Sequence, residues 1–246
     1  MTARNTLANI RIVLIHTSHP GNIGSAARAM KTMGLSQLFL VKPKSFPDEQ
    51  AITMSSSAAD ILDQAIVVDT LKEAIADCQF IVGTSARHER SLSWQTSAPR
   101  SCAKNLTEQA QTGQVAIVFG RENSGMTNDE LALCHQLVHI PTNPDYSSLN
   151  IASAVQILAY ECRVAQLSQG EFEKQKLDKE DTLATAKEVE SYYQHLEKAM
   201  IDADFLDPKN PRHLMKRMRR LFGRTHLSRS EINILRGMLS AFSRKP

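Results

Sequence analysis

The chain predicts a doubly wound α/β domain followed by a small, basic, all-helical unit. Three observations carry that expectation. Up to about residue 169, short apolar runs alternate with helical patterns. The runs are near-continuous rather than alternating, as parallel strands covered on both faces should be. Beyond a charged stretch at 170–181, only helical periodicity remains.

The elements follow in order. Ile10-Arg11-Ile12-Val13-Leu14-Ile15 reads as the first strand, and Gly21-Asn22-Ile23-Gly24 opens a helix that runs to about Gly34. Further strands are expected at 37–41, 65–69, 79–85, 114–120 and 136–140. Thr70 and Glu73 have capping-box spacing at the head of a helix over 70–77, and Thr127 and Glu130 repeat it. A long helix over 148–169 follows, with Ser147 and Ser148 as its N-cap and Ile151, Val155, Leu158, Ala159 and Cys162 as an apolar stripe. The charged segment 170–181 lacks apolar periodicity and reads as a linker. Three helices are expected after it, over 181–203, 211–223 and 228–243. In the second of them Leu214, Met218, Leu221 and Phe222 share a face, and Ser228 and Glu231 cap the third. The domains are therefore read as 1–169, a linker at 170–181, and 182–246.

Composition narrows the function. With 246 residues, 42% hydrophobic and 22% charged, the chain has the make-up of a soluble globular protein. Its apolar stretches are too short to cross a bilayer, and its polar N-terminus has no signal-peptide core, so a cytoplasmic protein without a membrane partner is expected. The four cysteines have no C-x-x-C spacing, which points to neither a zinc site nor a disulfide framework. Charge is uneven. Residues 209–246 hold eleven Lys/Arg and one acid, whereas the rest holds eighteen Lys/Arg against twenty-five Asp/Glu. An acidic body with a basic tail suggests a polyanion partner engaged mainly by the tail.

The loop after the first strand invites a nucleotide reading, but its glycines, Gly21 and Gly24, are three apart and do not form G-x-G-x-x-G. The second strand also ends in Lys42-Pro43, where a dinucleotide fold places an acid for the ribose. That disfavours a nicotinamide-dependent oxidoreductase. No P-loop lysine motif is present either. The loop instead presents Asn22, an amide, and Arg28, a permanent cation. Three further strand ends are unusual: Gly83-Thr84-Ser85-Ala86-Arg87, Phe119-Gly120-Arg121-Glu122-Asn123-Ser124-Gly125, and the stretch from Pro141 through Asn143-Pro144-Asp145-Tyr146-Ser147-Ser148-Leu149-Asn150. Small residues there let backbone groups approach a ligand closely.

Asn22-x-Gly24-x-x-x-Arg28, Phe119-Gly120-x-Glu122-x-x-Gly125, and Ile140-Pro141 followed by Ser148-Leu149-Asn150-x-Ala152 resemble the three motifs of the SPOUT superfamily, in its TrmH-like ribose 2′-O-methyltransferase branch. Order, spacing and position after successive strands all agree, and the resemblance covers roughly residues 8–168. It implies a parallel-sheet fold with a C-terminal trefoil knot, a homodimer with the long 148–169 helix in the subunit contact, and S-adenosylmethionine as cofactor. Thr84, Ser85, Ala86, Gly120, Ile140, Ser147, Ser148 and Leu149 are the implied cofactor contacts. Arg28, Asn22, Glu122, Ser148 and Asn150 are the implied catalytic set. The basic tail and the Asn-Pro-Asp-Tyr-Ser-Ser-Leu-Asn stretch are closest to bacterial enzymes that methylate the ribose of cytidine or uridine at position 32 of the tRNA anticodon loop. The family's proposed base is Arg28, although a guanidinium is effectively always protonated. A grip on the neighbouring phosphate is the safer role.

Plainer readings stand beside these. Asn22 and Gly24 suit an ordinary turn and helix start, and Glu122 suits a pair with Arg121 or a cap. His16 and His19 have no nearby acid or cysteine, so local structure is expected there and no metal. Trp94 and the loop around Arg87 either contact RNA or cover the core. Arg212, Lys216, Arg217, Arg219, Arg220 and Arg224 are candidate RNA contacts, or else a wet helix face. A non-enzymatic RNA-binding protein on the same scaffold is the remaining rival.

Overall fold

A computed structural model describes residues 6–85, 96–168 and 182–243. Ala86, Arg87, Trp94 and the charged stretch 170–181 lie outside the described residues. The strands are β1 (Ile10–Ile15), β2 (Gln37–Val41), β3 (Ile66–Val68), β4 (Cys78–Thr84), β5 (Thr96–Ser97), β6 (Gln114–Phe119) and β7 (Gln136–Val138). All pair in parallel, in the order β3-β2-β1-β6-β4-β7-β5. Of these only β5, a two-residue edge strand, has no counterpart in the sequence reading, because two residues carry no periodicity.

Between the strands lie α1 (Pro20–Met33), α2 (Glu49–Ser55), α3 (Ala59–Asp63), α4 (Leu71–Ala74), α5 (Pro99–Gln109), α6 (Asn128–Leu131) and α7 (Ile151–Ser168). Alternate strand residues face opposite ways. Ile12, Leu14, Leu40, Val82 and Ile117 pack with Ile23 and Met30 of α1, Leu106 of α5 and Leu158 of α7. Val13, Phe39, Ile81 and Val118 face the other side, against Leu71 of α4 and Leu131 of α6. Both faces are covered, which is why the strands read as unbroken apolar runs. Arg11 is the exception within β1. It is buried, donates to both Asp77 carboxylate oxygens at 2.7 and 3.0 Å, and stacks 3.9 Å over the Phe39 ring.

Glycine sets two close approaches. A Cβ at Gly24 would sit 2.0 Å from the Ala51 carbonyl oxygen, so α1 and α2 cross this tightly only with glycine there. Gly34, at φ 84°, ends α1 in the left-handed conformation.

Two expectations for α7 need correction. Its N-cap is Asn150, whose Oδ1 accepts from the Ala152 N–H at 2.8 Å, and not Ser147 or Ser148. The three-residue shift follows from helical backbone beginning only at Ile151. The stripe of Ile151, Val155, Leu158, Ala159 and Cys162 is buried within the chain's own core, so it is not free for a subunit contact. Ile157, Tyr160, Val164 and Leu167 occupy the outward side of α7, with Tyr160 51% exposed and Leu167 66%.

The C-terminal part comprises α8 (Ala186–Asp202), α9 (Leu214–Gly223) and α10 (Arg229–Phe242). Reciprocal capping boxes begin α8 (Thr185, Glu188) and α10 (Ser228, Glu231). Their core joins Tyr192, Tyr193, Leu196 and Ile232 to Met215, Met218 and Phe222 of α9. The packed face of α9 thus includes Met215, while Leu221 is 45% exposed, which corrects the face read from sequence. This part docks on the side of the sheet that carries α4 and α6. The Lys187 N–H donates to the Ala76 carbonyl at 3.1 Å, and Lys72 and Lys216 reach Glu190 and Asp129.

Candidate active site at the carboxyl ends of the strands

The sheet order places β1, β6, β4 and β7 side by side, so the loops after them meet at one edge. The loops after β4, β6 and β7 enclose a cavity of about 320 Å³. Thr84, Ser85, Gly120, Ile140, Ser147, Ser148 and Leu149 all line it, together with Glu122 and, from the start of α7, Ile151 and Ala154. Every described member of the expected cofactor set therefore faces one space. Sequence reasoning missed Thr142, Asn123 and Ser124 on the same wall. They sit inside the quoted loop stretches, where small polar residues carry no spacing signal of their own.

Local chemistry explains how the walls are held. The Arg121 N–H donates to the Gly125 carbonyl at 3.1 Å, and the Gly125 N–H returns to the Arg121 carbonyl at 2.9 Å, closing a tight loop. Gly125 has φ 68°, and a Cβ on Gly120 would lie 2.3 Å from the Gly125 carbonyl carbon. The Arg121 guanidinium forks onto Glu130 with two 3.0 Å hydrogen bonds. Glu130 also completes the Thr127 capping box, which ties the loop to α6. On the other side, the Ser85 N–H donates to the Val138 carbonyl at 3.0 Å.

Glu122 pairs with neither Arg121 nor a helix end. It accepts from the Ser18 N–H at 3.2 Å and from the Asn22 amide at 3.1 Å. Asn22 in turn accepts, at its Oδ1, from the Asn150 amide at 2.9 Å. A relay thus runs from the loop after β6, through the first turn of α1, to the cap of α7. Burial raises the Glu122 pKa, but hydrogen bonds from its own backbone N–H, Asn22 and Ser18 outweigh that and hold the carboxyl below its ordinary value. It is a fixed carboxylate and a poor proton acceptor.

Arg28 is placed differently. It lies on the exposed side of α1 and does not line the cavity. Its guanidinium has no ion-pair partner among the described residues. Glu122 and Ser148 line the cavity, Asn22 and Asn150 are tied to Glu122 by hydrogen bonds without lining it, and Arg28 neither lines it nor joins that relay.

Among the basic residues of the C-terminal part, Arg219 departs from the expected free cation. Its guanidinium forks onto Glu190 at 2.6 and 3.0 Å and lies 4.5 Å over the Tyr193 ring, because α9 turns that position toward α8. Lys216 pairs with Asp129 at 2.8 Å, while Arg212, Arg217 and Arg224 point to solvent.

A cavity at the carboxyl ends of a parallel sheet, walled by the loops after β4, β6 and β7, fits a methylase of the SpoU type: the SpoU rRNA Methylase family matches residues 9–160, and the chain belongs to that family. Residues 187–246 match a second family, the C-terminal domain of tRNA methyltransferase TrmJ. A tRNA (cytidine/uridine/adenosine-2′-O-)-methyltransferase TrmJ from Pseudomonas aeruginosa is 53% identical, over 95% of this chain and 93% of its own. The crystal structure of TrmJ from Z. mobilis superposes with a TM-score of 0.82 at 33% identity, covering 96% of this chain and all of that one. A probable methylase family protein from Haemophilus influenzae is 46% identical, with a TM-score of 0.65 and 97% of each chain covered.

Proposed function

We propose that the protein is an S-adenosylmethionine-dependent tRNA methyltransferase that modifies the ribose 2′-hydroxyl of cytidine or uridine at position 32 of the anticodon loop. The observation that carries this reading is the Glu122–Asn22–Asn150 relay at the lip of the 320 Å³ cavity. The names of the relatives agree with it, since they act on tRNA ribose, one of them on adenosine as well.

The cavity suits the cofactor. Val138, Ile140, Leu149 and Ile151 offer apolar walls for an adenine, and the close backbone approach at Gly120 and Gly125 offers peptide groups to its edge. When bound, the cofactor supplies an electrophilic methyl group that needs little activation. The chain's own task is the hydroxyl, a poor nucleophile until its proton is withdrawn. Arg28 binds the adjacent phosphate and, by its charge, lowers the hydroxyl pKa. The proton displaced from the hydroxyl would go to solvent as the methyl leaves the cofactor's sulfonium, which departs as a neutral thioether. Asn22, Glu122, Ser148 and Asn150 keep the sugar and the loops in line.

Because Arg28 is exposed and does not line its own chain's cavity, the working form is read as a homodimer that brings it to the partner's site. Ile157, Tyr160, Val164 and Leu167 on the outward side of α7 supply the contact, in place of the buried stripe read from sequence. The C-terminal trefoil knot that the resemblance implies would shape the cofactor site, the basic C-terminal unit docks the tRNA, and the protein works in the cytoplasm. No helix among the described residues is long and apolar enough to cross a membrane.

The test is transfer of tritium from labelled S-adenosylmethionine into unmodified tRNA, followed by nucleoside analysis and mapping of the modified position. Label in 2′-O-methylcytidine or 2′-O-methyluridine at position 32 supports the reading. Label in a methylated base overturns the ribose assignment, and bound cofactor without label points to a different RNA substrate or to the binding-protein rival.

A further inference from the structure

The bend between α8 and α9 holds a second cavity, of about 750 Å³, far in sequence from the methyl-transfer site. We propose that it binds one unstacked RNA nucleotide, with Phe205 as the platform for the base and Arg212 and Arg217 as the clamp on its phosphate. The inference rests on the reading of RNA as substrate and adds a site to it.

The local fold explains why Phe205 is offered to solvent. The chain leaves α8 through Asp204, at φ 54°, and the N–H groups of Phe205 and Leu206 both donate to the Met200 carbonyl, at 2.9 and 3.0 Å. This pins the bend. Leu206 is 4% exposed and anchors it, whereas the preceding Phe205 is 68% exposed. One exposed apolar side chain is ordinary. What sets this one apart is its company, for Arg212, His213 and Arg217 line the same cavity.

The cations of this region are sorted. Arg219 is turned inward onto Glu190, and Lys216, although exposed, is paired with Asp129. Neither Arg212 nor Arg217 has an ion-pair partner among the described residues. Asp207 is the one acid lining the cavity, and its Oδ1 is engaged by the Lys209 N–H at 2.8 Å. Arg212 is held at φ 47°, a left-handed backbone that a non-glycine residue adopts only when its surroundings impose it. An exposed ring beside two unpaired guanidiniums matches the two faces of a splayed nucleotide, a π-surface and an anion. An acidic peptide would use the guanidiniums but has no need of the ring.

The experiment is equilibrium binding of the full chain to an unmodified tRNA transcript across a salt series. Phe205→Ala should weaken binding about tenfold or more, the worth of one stacked base, with the slope of log K against log salt unchanged. Phe205→Trp should restore affinity, and its emission should be quenched by tRNA beyond any change seen in the parent chain. The double variant Arg212→Gln, Arg217→Gln should flatten the salt slope by about one to two. Parental affinity in Phe205→Ala while the parent binds tRNA overturns the pocket and leaves the function standing, as does Phe205→Trp without added quenching. A parent chain that binds no tRNA overturns both. Phe205 is exposed, so circular dichroism should show both variants folded.

Discussion

Asn150 donates its side-chain amide to Asn22 Oδ1 at 2.9 Å, joining two residues 128 positions apart in the chain. The same Asn150 caps α7 through its own Oδ1. Asn22 is used at both ends, accepting from Asn150 and donating to Glu122. Turning either amide over would set acceptor against acceptor or donor against donor, so the three side chains fix one another's orientation.

That reciprocity makes Asn150→Asp informative. The carboxylate keeps the cap, so thermal stability should stay within about 1 kcal/mol of the parent. The donor to Asn22 is lost, however, and flipping Asn22 only moves the conflict to Glu122. Turnover should fall by about tenfold or more as the loops lose register. Steady-state kinetics beside a thermal melt will show it, and parental kcat in this variant would remove the relay from the mechanism.

Arg28→Ala should separate binding from chemistry. The side chain is exposed on α1, six residues past Asn22 and so about 9 Å along the helix axis, and does not line the cavity. Calorimetric affinity for S-adenosylhomocysteine should be unchanged within about twofold, while turnover should drop on the order of a hundredfold, the scale of one lost electrostatic contact to the reacting group. Turnover near the parental rate would leave Arg28 an ordinary surface residue.

Much of this was legible in the sequence, and the limits have physical causes. Buried parallel strands announce themselves as apolar runs, and the capping spacings at Thr127 and Ser228 mark helix starts because the hydrogen bonds they make are local. The described cofactor set converges because motif loops after neighbouring strands share one edge. The α7 stripe was misassigned because periodicity tells which face is apolar but not whether the chain itself or a second copy covers it. Arg219 misled in the same way, since a run of Lys and Arg does not reveal that Glu190, 29 residues earlier, claims one member. The Asn22–Asn150 contact has no sequence signal at all, being set by tertiary placement alone.

The two glycines of the loop after β6 should respond differently to a methyl group. At Gly120 the added Cβ meets backbone, the Gly125 carbonyl carbon at 2.3 Å and the Met126 nitrogen at 2.4 Å, and nothing flexible can yield. Gly120→Ala should cost about 2 kcal/mol or more and weaken S-adenosylhomocysteine binding at least about tenfold. At Gly125 nothing lies within 4 Å, and only the positive φ opposes the change. Gly125→Ala should therefore cost about 1 kcal/mol. Paired melts and calorimetry on the two variants test the contrast, which equal losses would abolish.

Arg219 and Arg217 sit on one helix and should fail in different assays. Arg219→Ala removes a bidentate bond to Glu190 and a stack on Tyr193, both partly shielded from water, and should cost about 1–3 kcal/mol in urea unfolding. Arg217→Ala touches nothing comparable and should stay within about 0.5 kcal/mol. Its loss should appear in tRNA affinity at low salt. The reverse pattern would mean that Arg219 is the RNA contact.

His135 gives the fold an acid limit. It lies at the start of β7, stacks on Phe80 at 5.7 Å between ring centroids, and meets the His226 ring of the C-terminal part at 6.0 Å. Its Nδ1 accepts from the Ile81 N–H at 3.0 Å, which places the proton of the neutral ring on Nε2. Burial, reinforced by the nearby His226, lowers its pKa to about 4. Burial lowers that of His226 as well. A depressed histidine binds its proton more weakly folded than unfolded, so below about pH 6.5 the unfolded chain takes up protons first. The stability from neutral His135 is thus complete above about pH 6.5 and is lost as pH falls toward 4, by about 3 kcal/mol over the window. His135→Asn keeps an acceptor for the Ile81 N–H and removes the titration. Urea unfolding at pH 7 and pH 4.5 should show a smaller acid loss in the variant than in the parent, even though the variant starts less stable at pH 7 because it packs less against Phe80. Equal acid losses in the two proteins would mean that His135 does not titrate in this window and that the limit lies with the paired carboxylates Asp77, Glu130 and Glu190, whose pKa values are held below the ordinary range by Arg11, Arg121 and Arg219.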